Sequence, residues 1–387
     1  MRTLFLTRDY ASVAARRSTG GFTLVELMVG LLLGMLTVLV ISQVLSMSEG
    51  RKRTIASGSE AQINGALALY TLQRELQMAG YGLAAKPEAL GCPVEGTQSI
   101  EGPPAAKESF AGTLAPVLIT PGDDGAPDRL TLLQSRKPSF SVPIVVTGQT
   151  TDHFTVLSSL GAQAGDLMVT VPAAWNAATP CRLFTVTDDG LGSPSNTGLW
   201  SLRVPHVEGG ANSWNDNEEL ALSPASYLLN LGSLGYTEYS IGDDHSLQAT
   251  VRTATAGSST TELFPQIVTM RALYGKDTNN DGVVDTYDAT TPTGNAQWRQ
   301  VLTVRIALVA RSGQYEKSSA DEKDAVTQSA PQWDLGTSTA VTGSKDCHDG
   351  SKCLSLKVDQ VTDWKHYRYK VYDTIVPLRN MLWNAES

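Results

Sequence analysis

A run of apolar residues near the N-terminus constrains this chain more than any other feature. Within residues 22–48 the only charged residue is Glu26, and residues 27–41 contain Thr37 as their only clearly polar member. A helix rises about 1.5 Å per residue, so the roughly 20 residues of 22–41 span about 30 Å, one bilayer core. The run therefore predicts a membrane-spanning helix, and the carboxylate near its start predicts a functional role for Glu26.

The segment before this run has an unusual order of features. Residues 1–21 carry four arginines against one aspartate and lack a long apolar core of their own. A secretory signal places its cleavage site after the apolar region, whereas here the Gly20-Gly21-Phe22 junction precedes it. Cleavage after Gly21 would remove only the basic leader and would leave the apolar helix on the mature protein.

The motif from Gly21 to Glu26, Gly-Phe-Thr-Leu-Val-Glu, resembles the type IV prepilin signal. In that resemblance Gly21 is at the cleavage site, Phe22 is the first mature residue and Glu26 is the fifth. A prepilin peptidase is the implied processing partner. The alternative, a plain signal anchor, leaves both the Gly-Phe junction and Glu26 unexplained.

The acidic composition of the chain argues against some classes of function. The net charge is −9 and the pI is near 5.1, which argues against a protein that coats nucleic acid, since such a protein needs a basic surface. The segment 364–370 mixes aromatic and basic residues as a single-strand nucleic-acid platform does, but strand alternation also explains it. No nucleic-acid partner is expected. No catalytic motif is found, and the chain is not expected to be an enzyme.

All four cysteines follow the apolar run. The basic leader favours a cytoplasmic N-terminus, which places the cysteines in an oxidising compartment where an even number suggests disulfides. Three pairings are possible. The pairing Cys92–Cys181 with Cys347–Cys353 is favoured, and a zinc site is disfavoured because no C-x-x-C pair occurs.

The helix is expected to continue beyond the membrane. After residue 55 apolar positions recur at steps of three and four, and Gly80-Tyr81-Gly82 supplies a stop signal. The predicted organisation is a leader (1–21), a transmembrane half-helix (22–44), an amphipathic half-helix (45–80) and a β-rich head with inserted loops (81–387). The fold class is α+β, a long N-terminal membrane-spanning helix packed on a β-rich periplasmic head as in type IV pilins.

Short apolar runs with turn signals between them predict an antiparallel sheet in the head. Residues 188–260 and 312–350 are expected to be mainly loops. Two late segments, 301–310 and 365–371, show the alternation of long strands that are central to a sheet. The other predicted strands are 116–120, 129–133, 142–146, 153–157, 167–171, 183–187 and 199–204.

The strongest motif in the head is an acidic loop at residues 277–288. Oxygen donors at loop positions 1, 3, 5, 9 and 12, with glycine at position 6 and a carbonyl at position 7, match the spacing of a calcium loop. The alternative is a solvated acidic turn. The flanking sequence does not predict two helices, so a structural calcium site is favoured over a sensor. The expected ligands are Asp277, Asn279, Asp281, Val283 (through its carbonyl), Asp285 and Asp288.

Most of the chain resembles minor pilins of the PilW family. Besides the signal, the resemblance includes residues 125–130 and the C-terminal stretches 367–369 and 376–380. It implies a subunit held in the inner membrane with a periplasmic head, which primes type IV pilus assembly with other minor pilins and the major pilin. The subunit would then occupy a place at or near the fibre tip. The rival interpretations are a GspJ-like pseudopilin of type II secretion and a tip adhesin or DNA-uptake receptor.

Glu26 carries the first testable prediction. A carboxylate four residues after a new N-terminal amine can pair with an amine of a neighbouring chain, and this attraction is strong in a low dielectric. Glu26→Ala is expected to leave leader cleavage intact but to reduce incorporation into the fibre, as measured by a pull-down of assembled fibres. Normal incorporation would contradict this role.

Overall fold

Helix α1 (Leu24–Met78) is the longest element of this computed structural model. It ends before Gly80, whose φ of +77° lies in the left-handed region that glycine adopts without strain. The Gly80 N–H then donates to the carbonyl of Leu133, 2.9 Å away. The helix therefore stops at the glycine pair that the sequence indicates, and its end is bound to the head.

The structure describes residues 21–83, 85–100, 106–137, 141–188, 202–208, 213–215, 222–254, 257–316, 325–337, 340–341 and 343–382. The predicted leader, apart from Gly21, lies outside these ranges.

The chain divides into two compact units, residues 1–55 and 56–387, and α1 contributes to both. Among the described residues, one helical segment, Leu24–Glu49, is long and apolar enough to cross a membrane. Its mean hydropathy is 2.6 and none of it is buried. The first unit is therefore compatible with a membrane anchor.

In the second unit, α1 buries one stripe of mostly small residues against the head. Leu72 and Leu76 are fully buried there, and each contributes about 2 kcal/mol through loss of apolar surface from water. A Cβ at Gly65 would collide with the ring of Tyr372, so glycine lets this tyrosine lie directly on the helix. The stripe recurs at steps of three and four residues: Ala61, Gly65, Ala68, Leu72, Leu76 and Ala79.

The described part of the head is built mainly from strands and contains two short α-helices, α2 (Asn295–Arg299) and α3 (Arg379–Leu382). In chain order the described strands are β1 (Pro93–Ile100), β2 (Ala106–Thr113), β3 (Val117–Thr120), β4 (Arg129–Gln134), β5 (Ile144–Gln149), β6 (His153–Val156), β7 (Leu167–Val171), β8 (Cys181–Thr185), β9 (Arg203–Pro205), β10 (Tyr227–Gly232), β11 (Gly235–Ile241), β12 (Ser246–Arg252), β13 (Ser258–Pro265), β14 (Ile267–Lys276), β15 (Thr286–Asp288), β16 (Val301–Arg311), β17 (Gln332–Asp334), β18 (Ala340–Val341), β19 (Lys345–Asp346), β20 (Lys352–Ser355) and β21 (Tyr369–Pro377).

Within the described residues these strands form four sheets. An eight-stranded sheet has the order β2-β1-β8-β7-β10-β5-β6-β9, and a five-stranded sheet has the order β13-β12-β11-β4-β3. A second five-stranded sheet, β18-β15-β14-β16-β21, and a small sheet, β17-β20-β19, complete the head. The chain is thus a mixed helix and strand protein with an N-terminal apolar helix and a β-rich body.

The second five-stranded sheet is covered on both faces. One face shares a hydrophobic core with the buried stripe of α1 and with the sheet of β11 and β12. The other face packs under a layer that contains Trp333 and Leu335. Arg305 of β16 is 9% exposed on this second face, and its guanidinium donates to the carbonyl of Leu335 at 2.8 Å. The strand predicted at 301–310 is central, and both of its faces are buried.

Several sequence-based boundaries were wrong. The strand predicted at 365–371 begins only at Tyr369 and continues to Pro377, because Trp364–His366 forms a 3-10 turn. This strand is at the edge of the described sheet, not at its centre. Residues 188–260 also contain strands β10, β11 and β12, and β13 starts there. Of the strand expected at 199–204, the structure describes residues 202–204, and β9 covers Arg203–Pro205.

All four cysteines lie among the described residues and form two disulfides. Cys92 bonds to Cys181 across 89 residues, and Cys347 bonds to Cys353 across 6 residues. This is the pairing that the sequence favoured. The first bond connects the residue that precedes β1 with the start of the neighbouring strand β8.

The two bonds are expected to differ in their effect on stability. A cross-link that closes a longer loop removes more entropy from the unfolded chain, so replacing Cys92 and Cys181 by alanine should lower the free energy of unfolding by about 4 kcal/mol. Replacing Cys347 and Cys353 should cost about 2 kcal/mol. Urea unfolding of the full chain in detergent, followed by tryptophan fluorescence, measures both. Equal losses would contradict the loop-length account.

Candidate functional site

The start of α1 is held by a capping box. Thr23 precedes the helix, and its hydroxyl accepts a hydrogen bond from the N–H of Glu26 at 3.2 Å. In return, Oε2 of Glu26 accepts from the N–H of Thr23 at 3.0 Å and from its hydroxyl at 3.0 Å. Two N–H groups that lack partners within the helix are thereby satisfied. Glu26 therefore also has a local structural role within its own chain, and the Thr-x-x-Glu spacing contains the signal for it.

The predicted cleavage junction is immediately outside this cap. Phe22 is 87% exposed, and Gly21 is also exposed, with no atom within 4 Å of the position that a Cβ would take. Both residues precede the first helical residue, so the peptide bond between them lies in a non-helical backbone segment. The carboxylate of Glu26 binds Thr23, the residue that directly follows this junction.

The acidic loop connects β14 to β15, two antiparallel neighbours in which Tyr274 is opposite Asp288. Asn280 and Gly282 have φ values of +61° and +83°, so the chain reverses sharply in the middle of the loop. The flanking sequence did not predict two helices around this loop, and the loop indeed connects two strands of a hairpin. The left-handed backbone at Gly282 explains the glycine at position 6.

Hydrogen bonds within the loop involve four of the six predicted ligand residues. Asp277 is 4% exposed, and its two oxygens accept from the N–H groups of Asp281 at 3.1 Å and of Gly282 at 2.7 Å. The amide nitrogen of Asn279 donates to Asp281 at 3.1 Å and to Asp285 at 3.5 Å. The side chain of Val283 is 62% exposed, as is suitable for a residue that is expected to act only through its carbonyl.

Hydrogen bonds to the carboxylate of Asp285 favour its charged form. Its Oδ2 accepts from the hydroxyl and the N–H of Thr278, both at 2.7 Å, and from the N–H of Asn279 at 3.2 Å. These hydrogen bonds, with that of the Thr278 hydroxyl first, lower the pKa of Asp285. A charged carboxylate with free lone pairs is the donor type that a hard cation prefers.

Asp288 has a different partner. It lies on β15, and its Oδ1 accepts from the ammonium of Lys276 at 2.7 Å and from the N–H of Thr290 at 2.7 Å. Both members of this ion pair are 14% exposed. The lysine precedes the loop by one residue, outside the segment whose spacing suggested the ligands. A closing ligand at position 12 would therefore compete with an existing ion pair.

The acidic loop also borders an open cleft of about 360 Å³. Asp277 and Asn280 line one part of it, and Arg299, Leu302 and Met381 line another part. The residue types in the loop suit an oxygen-seeking cation such as calcium. Among the described residues, however, no three of its carboxylates bring ligand oxygens within 4.8 Å of one another.

A second cluster does not fit a metal. Among the described residues, Asp334, Cys347 and Cys353 place potential ligand atoms within 4.8 Å of one another. The two sulfur atoms are joined in a disulfide, and only a thiolate binds metal strongly. This cluster is structural.

Asn380 and Asp128 lie in the segments 376–380 and 125–130, which resemble the PilW family. Their side chains connect α1 and the sheets. The side-chain amide of Asn380 donates to the carbonyls of Met78 at 3.2 Å and of Ala79 at 2.9 Å, and so satisfies the last turn of α1. Asp128 is fully buried, and it accepts from the N–H of Ala272 on β14 at 2.8 Å. Burial raises the pKa of Asp128, and Arg271 opposes that shift. Sequence alone indicated these segments but not the contacts that they make.

Comparison with known proteins is consistent with this arrangement. The family model PilW, described as type IV pilus-assembly protein W, matches residues 237–380. The matched range runs from β11 to α3 and includes the acidic loop and Asn380, whereas the N-terminal helix and residues 125–130 precede it. Comparisons with curated proteins and with solved structures gave no significant match. The C-terminal part of the head is thus similar to a type IV pilus-assembly protein, which supports the PilW family and a part in pilus assembly.

Proposed function

We propose that this chain is a minor pilin that primes type IV pilus assembly at the inner membrane and then sits at or near the fibre tip. The match of residues 237–380 to type IV pilus-assembly protein W carries the proposal. An N-terminal helix that is long and apolar enough to cross a membrane supports it. Prepilin peptidase would cut between Gly21 and Phe22, and the head would face the periplasm until the subunit enters the fibre.

The partners would be other minor pilins and the major pilin. The segment Leu24–Glu49 exposes apolar side chains along its length, so lipid can surround it before assembly and the helices of neighbouring subunits can replace lipid afterwards. Glu26 would then change partners. In the free subunit it caps its own helix through Thr23, and in the fibre it would pair with the N-terminal amine of another chain.

A pseudopilin of type II secretion and a tip adhesin or DNA-uptake receptor are the rival functions. The PilW match favours pilus assembly over both of them. Deletion of the gene separates the three. Loss of surface pili that a plasmid copy restores supports priming. Normal pili with lost attachment or DNA uptake would overturn it in favour of a receptor, and normal pili with lost protein secretion would overturn it in favour of a pseudopilin.

Two variants at Glu26 separate its local role from its role between chains. Glu26→Gln keeps an oxygen that can accept from Thr23, whereas Glu26→Ala loses both the cap and the charge. In a strain without the chromosomal copy, both variants are expected to be processed and inserted but to be depleted from sheared fibres. Incorporation of the Gln variant at the wild-type level would show that capping, and not charge, is what assembly requires.

We also propose that the acidic loop binds one calcium ion that stabilises the hairpin between β14 and β15. The oxygens of Asp277, Asn279, Asp281 and Asp285 would move together to hold it, and the ion would neutralise carboxylates that otherwise repel one another. Its role would be structural. Asp288 could join the ligand set only by leaving Lys276.

Calcium is expected to raise the melting temperature of the detergent-solubilised full chain. A ligand that binds only the folded state at 100 times its Kd stabilises it by about 2.7 kcal/mol. Asp281→Asn should abolish the shift because it removes one of the proposed ligand carboxylates. The side chain is exposed, so its loss should not unfold the head. Lys276→Gln should increase the affinity by freeing Asp288.

Asp124→Asn is the matched control, because it removes a carboxylate from an acidic turn that lacks the ligand spacing. Its calcium response should equal that of the wild type. Absence of any shift at millimolar calcium would reject the site, and an equal shift with magnesium would reject selectivity for calcium.

A further inference from the structure

A buried lysine in the head has no part in the proposed assembly function. Lys137 follows β4, and its side chain is only 2% exposed, which is uncommon for lysine. Its ammonium donates to Oδ2 of Asp166 at 2.5 Å and to the side-chain oxygen of Gln163 at 3.0 Å. A primary amine is thus held in a fixed position away from water.

An asparagine side chain shares the same carboxylate oxygen. Asn230 on β10 is 2% exposed, and its Nδ2 donates to Oδ2 of Asp166 at 2.7 Å and to the carbonyl of Gly161 at 2.7 Å. Because Lys137 and Asn230 both donate to one oxygen, the amine and the amide lie within two hydrogen-bond lengths of each other. Asp166 is the bridge between them.

The carbonyl of the asparagine amide is also held. Oδ1 of Asn230 accepts from the N–H of Gly232 at 2.7 Å, at an irregularity in the pairing of β10 with β7. Gly232 has a φ of +63°, and a Cβ there would lie 2.7 Å from the backbone nitrogen of Lys137. Glycine therefore lets the two segments approach closely while its N–H polarises the amide carbonyl.

We propose that Lys137 and Asn230 form an intramolecular amide bond, with Asp166 as the proton carrier. This arrangement places a nucleophilic amine, a polarised carbonyl and a carboxylate that contacts both nitrogens in one buried cluster. The N–H of Gly232 is placed to stabilise the negative charge that develops on Oδ1 during attack. The bond requires no oxidant and no cofactor.

The reaction joins Nζ of Lys137 to Cγ of Asn230 and releases ammonia. The Asp166 carboxylate takes one proton from the Lys137 ammonium, and the resulting neutral amine attacks Cγ of Asn230 to form the Nζ–Cγ bond. Asp166 passes this proton to Nδ2, the Cγ–Nδ2 bond breaks, and ammonia leaves. The second proton lost from Nζ goes to Asp166, which releases it to the departing ammonia as ammonium, so the carboxylate is regenerated.

The bond would connect two sheets that the disulfides leave unconnected. Lys137 follows β4 of the first five-stranded sheet, and Asn230 is on β10 of the eight-stranded sheet. In the described head, the Cys92–Cys181 bond lies within the eight-stranded sheet and the Cys347–Cys353 bond is local. A covalent connection here would resist separation of the sheets when force acts on the head.

Intact mass spectrometry of the full chain, purified in detergent with its disulfides accounted for, tests the proposal. The expected mass is that of the sequence present, residues 1–387 before leader cleavage or 22–387 after it, less one ammonia. A protease digest should contain one branched peptide in which Lys137 is joined to Asn230. Lys137→Arg keeps a cation for Asp166 but cannot form the bond, so it should have the full sequence mass, and Asp166→Asn should have it too.

The wild-type mass decides the question even if a variant fails to fold. A full sequence mass with no branched peptide would overturn the bond. Loss of one water, with the branch at Asp166, would overturn the assignment to Asn230. Because pili can be counted in the same strains, this result is independent of the assembly experiments.

Discussion

The packing of one helical stripe on a strand sheet is the constraint on which the head depends. The stripe of α1 is made mainly of alanine, glycine and leucine, which lets the helix approach the sheet closely, and Gly65 leaves room for the ring of Tyr372 on β21. The end of the helix is held twice, by the bond from Gly80 to the Leu133 carbonyl and by the bonds from Asn380. These contacts bring the C-terminal segment to the end of a helix that begins near the N-terminus. If the stripe did not pack, the first and last parts of the head would have no common core.

The candidate sites lie at the ends of elements that this core makes rigid. The acidic loop is the connection between β14 and β15, and β14 pairs along its length with β16, whose side chains are buried on both faces. Asp277 directly follows that rigid strand and is itself buried, and its two oxygens accept from the N–H groups of Asp281 and Gly282 in the loop. The capping box at Thr23 and Glu26 is likewise local to a helix end. Both candidate sites thus lie where regular structure stops and backbone N–H groups need partners.

Local patterns were predictable to a useful degree. Helix α1 was predicted with its end because helical periodicity and a glycine stop are local signals. Strand β16 was also predicted, since five alternating apolar residues admit few other structures. The prediction failed at residues 365–371, where alternating aromatic and basic residues read as strand although Trp364–His366 turns. It also missed β10 to β13, of which β10 and β11 pair with β5, β7 and β4, strands that are distant in sequence. Such pairing is not encoded in a single segment.

The sequence by itself determined the apolar span, the Gly21-Phe22 junction, the acidic spacing of residues 277–288 and the number of cysteines, because each depends only on residues close together in the chain. The contacts of Lys276 with Asp288 and of Asn380 with the end of α1 depend on the tertiary structure. It also brought Lys137, Asp166 and Asn230 to one buried point from segments far apart in sequence. The physical reason is that buried polar groups must find partners wherever the fold supplies them, and those partners are set by packing rather than by sequence distance.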